Sequence, residues 1–260
     1  MRDSLRRAGT AAVLLAALVA ALFLLPRAGI LVLMALVAGA GALEWARLCV
    51  INAPLYAGAV VLALFVAFSL DVSQAAFLLA TAFWLLAAPA WLWRRVGPEH
   101  RPALAAAGFV VLVPAALAMV VLEPGEALLV LAVAWIADTG AYFAGTRWGR
   151  RKLAPAISPG KTWEGAAGGL IGAAAYAMIL SFILAGAQAT RMAAFVGAAA
   201  LLVTVSIVGD LFESAAKRQA GVKDSGALLP GHGGVLDRID SATAILPVAA
   251  LVVPFLKSTS

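Results

Sequence analysis

The run ALAAAGFVVLVPAALAMVVL, residues 103–122, is continuously apolar and contains no charged side chain. A bilayer core about 30 Å thick is crossed by a helix of about 20 apolar residues. Within lipid, only helices and closed barrels satisfy their own backbone hydrogen bonds. Because the apolar residues of this run do not alternate with polar ones, the run predicts a membrane-spanning helix and not a barrel strand.

Stretches of the same character lie on both sides of this run. The predicted spans lie at about 8–25, 28–43, 54–70, 74–92, 103–122, 126–145, 164–185, 192–209 and 239–256. The chain has 260 residues, of which 64% are hydrophobic and 12% are charged, so its helices have almost no polar faces of the kind that a soluble helical protein needs. The predicted fold is all-α, a polytopic integral membrane protein with about nine transmembrane helices.

The positive charges predict how these helices are oriented. With nine spans, sixteen Lys and Arg fall on one side, whereas only Arg27, Arg191 and Lys257 fall on the other. Cytoplasmic loops carry the excess of Lys and Arg, so the N-terminus and the polar loops are predicted to be cytoplasmic. We read residues 8–25 as an uncleaved first helix, not a signal peptide, because no clear cleavage site follows them. The expected location is the plasma (inner) membrane.

The net charge of +6 and the pI near 10 could also indicate a nucleic-acid partner. In a membrane protein, the same charge follows from loop orientation and attraction to anionic lipid, so we expect membrane lipids and no nucleic acid as partners. The single cysteine, Cys49, excludes an internal disulfide and a cysteine metal cluster. The apolar first half could supply a homodimer surface, although no residue marks one.

Charge is concentrated in GDLFESAAKRQAGVKDSGALLPGHGGVLDRIDS, residues 209–241. If the preceding span continues as a helix, Asp210, Ser214 and Lys217 fall on one face, and Arg218 falls on the same face. Further polar or glycine positions follow at Lys223, Asp224, Gly231, His232, Gly233, Gly234, Asp237, Arg238 and Asp240. Glycines allow a ligand to approach the backbone closely. Carboxylates together with cations are typical of sites for Mg²⁺ and a nucleoside triphosphate.

A second polar block is WIADTGAYFAGTRWGRRKLAPAISPGKTWEG, residues 135–165. Asp138 lies in an apolar span, where a carboxylate is costly unless it is paired or binds a metal ion. Lys161 precedes a helix start that Thr162 can cap, an arrangement that suits a phosphate. The block is not a Walker A loop, because Pro155 occupies the required glycine position and no strand is predicted before it. A basic loop that only sets orientation is an equally good interpretation.

Two other groups of residues have simpler interpretations. Glu44 and Arg47 are predicted to form an i,i+3 pair at a helix end. Trp84, Trp91 and Trp93 are predicted to lie in the interfacial aromatic belt. Helix-end salt bridges would similarly explain Asp237 and Arg238, but they leave the other charges of 209–241 unexplained.

Together the two polar blocks resemble the phosphatidate cytidylyltransferase (CDP-diacylglycerol synthase) family. The signature of that family runs S-x-x-K-R, four residues, K-D, and then P-x-H-G-G-x-x-D-R-x-D. It is matched without insertion by Ser214, Lys217, Arg218, Lys223, Asp224, Pro230, His232, Gly233, Gly234, Asp237, Arg238 and Asp240. The upstream motifs D-T-G-A-Y-F-x-G and S-P-x-K-T-x-E-G are matched at 138–145 and 158–165. The first half of the chain resembles the family only in being a run of spans.

The resemblance implies that CTP and phosphatidic acid react to give CDP-diacylglycerol and pyrophosphate with Mg²⁺, and it leaves a second cation open. It divides the chain into N-terminal spans, 1–125, and a catalytic region, 126–260, with cytoplasmic loops 146–163 and 211–238. The implied catalytic residues are Lys161, Ser214, Lys217, Arg218 and Asp237. The implied substrate-binding residues are Lys223, Asp224, His232, Gly233, Gly234 and Arg238. The implied metal ligands are Asp138, Asp210, Asp237 and Asp240.

Two other functions stay open at this point. A CTP-dependent polyprenol or lipid kinase would use a similar site but release CDP instead of pyrophosphate. An ion-coupled transporter could use Asp138 and Asp210 as ion sites within the membrane. A CDP-alcohol phosphotransferase is disfavoured, because the motif D-G-x-x-A-R does not occur before Asp237.

Overall fold

The computed structural model describes residues 2–185, 188–228 and 233–258, and these are almost entirely helical. The first five helices are α1 (Arg2–Leu24), α2 (Arg27–Cys49), α3 (Ala53–Ser69), α4 (Ser73–Ala82) and α5 (Ala88–Arg94). The others are α6 (Arg101–Val121), α7 (Pro124–Trp148), α8 (Trp163–Ala185), α9 (Ala189–Gln219) and α10 (Leu236–Ser258). A π-helical turn, Phe83–Ala87, joins α4 to α5, so these two helices correspond to one predicted span.

Each predicted span coincides with a helix or, for 74–92, with this joined pair. Within the described residues, seven helical stretches are long and apolar enough to cross a membrane. The spans predicted at 8–25 and 54–70 fall on α1 and α3, whose apolar parts, Leu15–Leu24 and Ala53–Ser69, are shorter. The prediction of a polytopic α-helical membrane protein is therefore confirmed.

The structure departs from an all-helical chain in the loop between α7 and α8. There a short antiparallel hairpin pairs β1 (Lys152–Ala154) with β2 (Ser158–Thr162). The turn is closed by the Ile157 N–H, which donates to the carbonyl of Ala154 at 3.1 Å. Neither strand has the alternation of apolar and polar residues that signals a strand, and β2 contains a proline and a glycine, so the sequence predicts only a loop here.

Glycines let the backbones of α7 and α8 touch. A Cβ atom on Gly140 would lie 2.7 Å from the carbonyl oxygen of Gly168, and one on Gly165 would lie 3.0 Å from the carbonyl oxygen of Ala141. Small residues at such an interface are how membrane helices approach closely without a hydrophobic driving force. Since the hairpin leads directly into α8, this contact holds β2 against the C-terminal half of α7.

The last turns of α9, beyond the apolar span, rest on an aromatic cluster from the first half of the chain. Phe212 is fully buried, and its ring lies 5.8 Å from that of Trp84 and 5.5 Å from that of Trp91. The belt prediction is therefore wrong for Trp84, which is 1% exposed. Trp91 is half-buried against the same ring, and its place in the belt stays a prediction. Trp93 is 88% exposed, as a belt residue would be.

Candidate active site

The first group of predicted site residues meets in a cavity of about 280 Å³ between α7, the hairpin, α8, α9 and α10. Lys161 of β2 forms an ion pair with Oδ2 of Asp210 on α9. Oδ1 of Asp210 accepts a hydrogen bond from Ser214, one helical turn later, at 3.3 Å. Asp138 of α7 lines the same cavity and lies within electrostatic reach of Asp210 and Lys161. We call Asp138, Lys161, Asp210 and Ser214 the cavity cluster.

Thr162 explains why Lys161 has a fixed place. Its hydroxyl oxygen accepts a hydrogen bond from the Gly165 N–H at 3.0 Å, which caps the start of α8 as predicted. The Arg151 N–H also donates to the carboxylate of Glu164 at 3.2 Å, which ties β1 to the first turn of α8. Lys161 therefore projects from the end of the hairpin that is anchored to the first turn of α8.

The second group surrounds the buried ammonium of Lys217 on α9. Its Nζ lies 2.6 Å from Oδ1 of Asp237, in the first turn of α10, and 3.1 Å from Oε2 of Glu213. A buried charge is tolerated when it is paired and hydrogen-bonded. Glu213 was not among the predicted site residues, although its i,i+4 spacing to Lys217 could have suggested the pair.

The second oxygen of Asp237 is occupied by backbone and hydroxyl donors. Oδ2 accepts from the Gly234 N–H at 2.8 Å, from the Ser225 N–H at 3.0 Å and from the Ser225 hydroxyl at 3.1 Å. Gly233 adopts φ +81°, and a Cβ atom there would lie 2.7 Å from the same oxygen. A glycine is thus needed at position 233 because the backbone passes close to the Asp237 carboxylate. The sequence instead indicated that this glycine allows the close approach of a ligand.

The most deeply buried carboxylate of this group comes from the N-terminal half. Glu44 on α2 is fully buried and accepts a hydrogen bond from the Ser225 hydroxyl at 2.7 Å. The prediction that it pairs with Arg47 is wrong, since no ion pair between these two side chains is found among the described residues. We call Glu44, Glu213, Lys217, Ser225 and Asp237 the buried cluster.

Asp240 interacts electrostatically with both clusters. It lies one turn after Asp237 on α10, within electrostatic reach of Asp210 and Lys161 of the cavity cluster and of Lys217 of the buried cluster. Asp237 and Asp240 therefore face the same region, in agreement with their i,i+3 spacing.

The remaining predicted residues lie at the edge of this region. Arg218 is exposed, and its guanidinium donates to the carbonyls of Ile157 in the hairpin, at 3.3 Å, and of Val222, at 3.1 Å. Lys223, Asp224 and Arg238 are also exposed. His232 lies outside the described residues. Arg218 therefore links the end of α9 to the hairpin instead of pointing toward Asp237.

The carboxylates provide hard oxygen donors of the kind that Mg²⁺ prefers. Within residues 2–185, 188–228 and 233–258, however, no three carboxylate, histidine or cysteine side chains are grouped to hold a metal ion by themselves. Mg²⁺ is usually held by one or two carboxylates, with waters and substrate phosphates as its other ligands. Asp138 and Asp210 line the cavity and could supply such ligands together with Asp240, although Asp210 already binds Lys161 and Ser214. Asp237 does not line the cavity, and its two oxygens accept from four donors.

Comparison with known proteins places the chain in a family. The family model described as the cytidylyltransferase family matches residues 5–256. A phosphatidate cytidylyltransferase of Pseudomonas aeruginosa is 40% identical over 263 residues, which cover 93% of this chain and 93% of that protein. This chain belongs to the cytidylyltransferase family.

Shorter and more similar matches point the same way. A phosphatidate cytidylyltransferase of Haemophilus influenzae is 50% identical over 128 residues, 46% of this chain and 42% of that protein. One of Thermotoga maritima is 42% identical over 135 residues, 51% of this chain and 50% of that protein. The resemblance inferred from the two polar blocks is therefore confirmed, and it extends into the first half of the chain. Enzymes of this family are nucleotidyltransferases that convert CTP and phosphatidate to CDP-diacylglycerol.

Proposed function

We propose that this chain catalyses the Mg²⁺-dependent transfer of a cytidylyl group from CTP to phosphatidic acid at the cytoplasmic face of the inner membrane, with release of pyrophosphate. One observation carries the proposal. In a chain 40% identical to a phosphatidate cytidylyltransferase over nearly its whole length, Lys161 of the hairpin meets Asp210 of α9 in a cavity that Asp138 also lines. A cation beside several carboxylates is the arrangement that such a reaction between two phosphate-bearing substrates needs.

The chemistry requires no strong general base. The second ionisation of a phosphate monoester has a pKa of about 6, so the nucleophilic oxygen of phosphatidic acid is already ionised near neutral pH. This oxygen bonds to the α-phosphorus of CTP, and the bond from that phosphorus to the oxygen bridging the β-phosphorus breaks. Pyrophosphate leaves with the bonding electrons. The main obstacle is the repulsion between two anions, so catalysis depends on positioning and charge neutralisation.

The lysines and arginines of this chain have different roles in this neutralisation, according to where they lie. Lys161 lies in the cavity, where it can bind a phosphate of CTP, while Ser214 orients the Asp210 carboxylate beside it. Lys217 is held between Glu213 and Asp237 and supplies a fixed positive charge. The exposed residues Lys223 and Arg238 lie where a polyanion arriving from the cytoplasm or a lipid headgroup would first meet the protein.

Asp210 and Asp240 would hold Mg²⁺, with Asp138 as a further ligand. When bound, this ion would neutralise triphosphate oxygens and the charge that develops on the leaving pyrophosphate. Asp237 is the weaker candidate among the predicted ligands, since its oxygens accept from Lys217, Gly234 and Ser225, whereas Asp210 has only Lys161 and Ser214 as partners and lines the cavity. Two carboxylates, with substrate oxygens and water, would supply the hard oxygen ligands that Mg²⁺ prefers. A second cation and a homodimer stay predictions.

The orientation of the site rests on the charge distribution. The hairpin and the segment between α9 and α10 contribute to one site, and both carry cations that belong to the lysine- and arginine-rich side. Positive loops are retained in the cytoplasm, which is also where CTP is available. The substrate site would then open to the cytoplasm at the level of the lipid headgroups.

The test uses purified protein in detergent with phosphatidic acid, Mg²⁺ and CTP labelled on either the α- or the γ-phosphorus. We expect α-label in the lipid and one pyrophosphate released for each lipid formed. Transfer of γ-label to the lipid with release of CDP would establish the kinase instead. Absence of any turnover with an intact, folded protein would return the transporter to consideration.

A further inference from the structure

Glu44 has no assigned role in the chemistry, yet it is the most completely buried acidic side chain of the described residues, at 0% exposure. It lies near the end of α2, far in sequence from the other site residues. Its carboxylate accepts from the Ser225 hydroxyl at 2.7 Å, the Val235 N–H at 2.9 Å and the Leu236 N–H at 2.9 Å. All three donors belong to the segment that ends at the start of α10.

These donors replace the hydration that the carboxylate loses. A buried charge without partners is very costly, whereas hydrogen bonds to an ionised acceptor are stronger than neutral ones. The first N–H groups of a helix lack partners within the helix. The Glu44 carboxylate therefore caps α10 from another helix, and among the described residues no cationic side chain forms an ion pair with it.

The chain is shaped around this carboxylate. A Cβ atom on Gly226 would collide with Oε1 of Glu44, and a Cβ atom on Gly234 would collide with Oε2. Two glycines of this segment, one near its beginning and one near its end, thus lie directly against the two oxygens of the carboxylate. The absence of side chains at these two positions leaves room for both carboxylate oxygens to accept from the segment.

Ser225 connects Glu44 to the buried lysine. Its hydroxyl lies 2.7 Å from Oε2 of Glu44 and 3.1 Å from Oδ2 of Asp237, so one hydroxyl is shared by two carboxylates. Because a hydroxyl has a single hydrogen, it can donate to only one of them at a time. The other oxygen of Asp237 holds Lys217 at 2.6 Å. A shift of the segment would therefore move Asp237 relative to Lys217.

We propose that Glu44 is a positioning residue for the transfer reaction. Its carboxylate joins Ser225 to the start of α10 and so holds Asp237 against Lys217. The inference rests on the proposed function, because it assigns Glu44 a part in the same site. It also assigns a role to the N-terminal spans, since α2 supplies the carboxylate that accepts hydrogen bonds from the segment before α10.

The test compares Glu44→Gln and Glu44→Asp with wild-type protein, with Glu126→Gln as the matched control. Glu126 pairs with Lys257 near the ends of α7 and α10 that lie away from the site, so its replacement should leave kcat unchanged. Glutamine has nearly the volume of glutamate but only one acceptor oxygen, and its NH₂ group would face an N–H donor. We expect Glu44→Gln to lower kcat by about 10- to 100-fold with KM for CTP changed by less than about 3-fold, as for a site misplaced by an ångström.

The aspartate variant separates positioning from packing. Aspartate keeps both acceptor oxygens but is shorter, so it should recover at least about 3-fold in kcat over Glu44→Gln. A role in packing alone predicts the reverse order, because aspartate leaves a gap and glutamine does not. Glu44→Gln with wild-type kcat, or a kcat higher than that of Glu44→Asp, would overturn the proposal.

Ser225→Ala keeps the proposal testable if the Glu44 variants do not fold. It removes only the shared hydroxyl, and we expect kcat to fall by about 3- to 10-fold at unchanged KM, the effect of losing one ordinary hydrogen bond. A Ser225→Ala enzyme with wild-type kcat counts against the proposal. Inactive wild-type protein would instead contradict the proposed function, which the same assay measures first.

Discussion

The ammonium nitrogen of Lys217 lies 2.6 Å from Oδ1 of Asp237, which joins the end of α9 to the first turn of α10. The same nitrogen lies 3.1 Å from Glu213, so two carboxylates of the protein already surround it. Lys161, in contrast, forms its only described ion pair with Asp210, at the wall of an open cavity. The two lysines therefore have different surroundings: Lys217 is enclosed by carboxylates of the protein, whereas Lys161 lines the cavity that we propose binds a substrate phosphate.

Asp237→Asn should lower turnover by at least about 100-fold. The amide is uncharged, so it cannot hold Lys217 as the carboxylate does, and it has one acceptor oxygen instead of two. Initial rates of CDP-diacylglycerol formation measure this. Size-exclusion chromatography and circular dichroism should show a folded membrane protein of normal helicity. Asp71→Asn, in the exposed link between α3 and α4, is the control and should retain full activity. An Asp237→Asn enzyme with most of its activity would remove Asp237 from the site.

Lys161→Met should lower kcat/KM for CTP by about 100-fold, since it removes a cation placed to bind a phosphate. Lys161→Arg should be less impaired, because the charge remains although the geometry of the donors differs. Steady-state kinetics with varied CTP measure both. Lys152→Met, an exposed residue of the same hairpin, serves as the control, and an equal effect of Lys152→Met and Lys161→Met would show that only the loop charge matters.

Asp210→Asn should raise the Mg²⁺ concentration that gives half-maximal rate by about 10-fold, because one charged ligand is lost. The measurement is activity as a function of free Mg²⁺, after removal of metal with a chelator has abolished turnover. Part of the lost rate should return at high Mg²⁺ for Asp210→Asn but not for Asp237→Asn. An unchanged Mg²⁺ dependence of Asp210→Asn would argue against metal binding at this carboxylate.

Gly140→Ala should destabilise the protein by about 1–3 kcal/mol, as overpacking does in well-packed interiors. The new Cβ atom would lie 2.7 Å from the carbonyl oxygen of Gly168, which is backbone and cannot move aside without shifting α8. Thermal unfolding in detergent measures the change. The matched control is Gly58→Ala, where a Cβ atom would meet nothing within 4 Å and the melting temperature should not fall. Equal melting temperatures of the two variants would contradict the close packing of α7 on α8.

The outer framework of this protein could be predicted from composition and run length. Continuous apolar runs of about 20 residues form helices in lipid, so the helices follow from run length and from the absence of alternation. Local spacing was sufficient as well where both partners lie on one helix, as for the hydrogen bond from Ser214 to Asp210. Thr162 capped α8 because a cap depends on residues three positions apart.

Contacts between distant segments could not be predicted in this way. The hairpin at Lys152–Ala154 and Ser158–Thr162 forms against α7 and α8, without a strand pattern of its own. Trp84 was predicted to lie in the interfacial belt, but it is buried, with the ring of Phe212 from α9 packed against it. Periodicity describes one helix at a time, so it carries no information about which helix lies beside another.

The sequence by itself determined the membrane-spanning helices, the family and most of the charged residues that meet at one site, because run length, spacing and a dense motif are local properties. Only the tertiary structure decided how those residues divide into a cavity cluster around Lys161 and a buried cluster around Lys217. It also brought in Glu44, whose sequence neighbours suggest nothing more than a helix end. The physical reason is that a buried carboxylate must find hydrogen-bond donors wherever the fold supplies them, and here they lie 181 to 192 residues away along the chain.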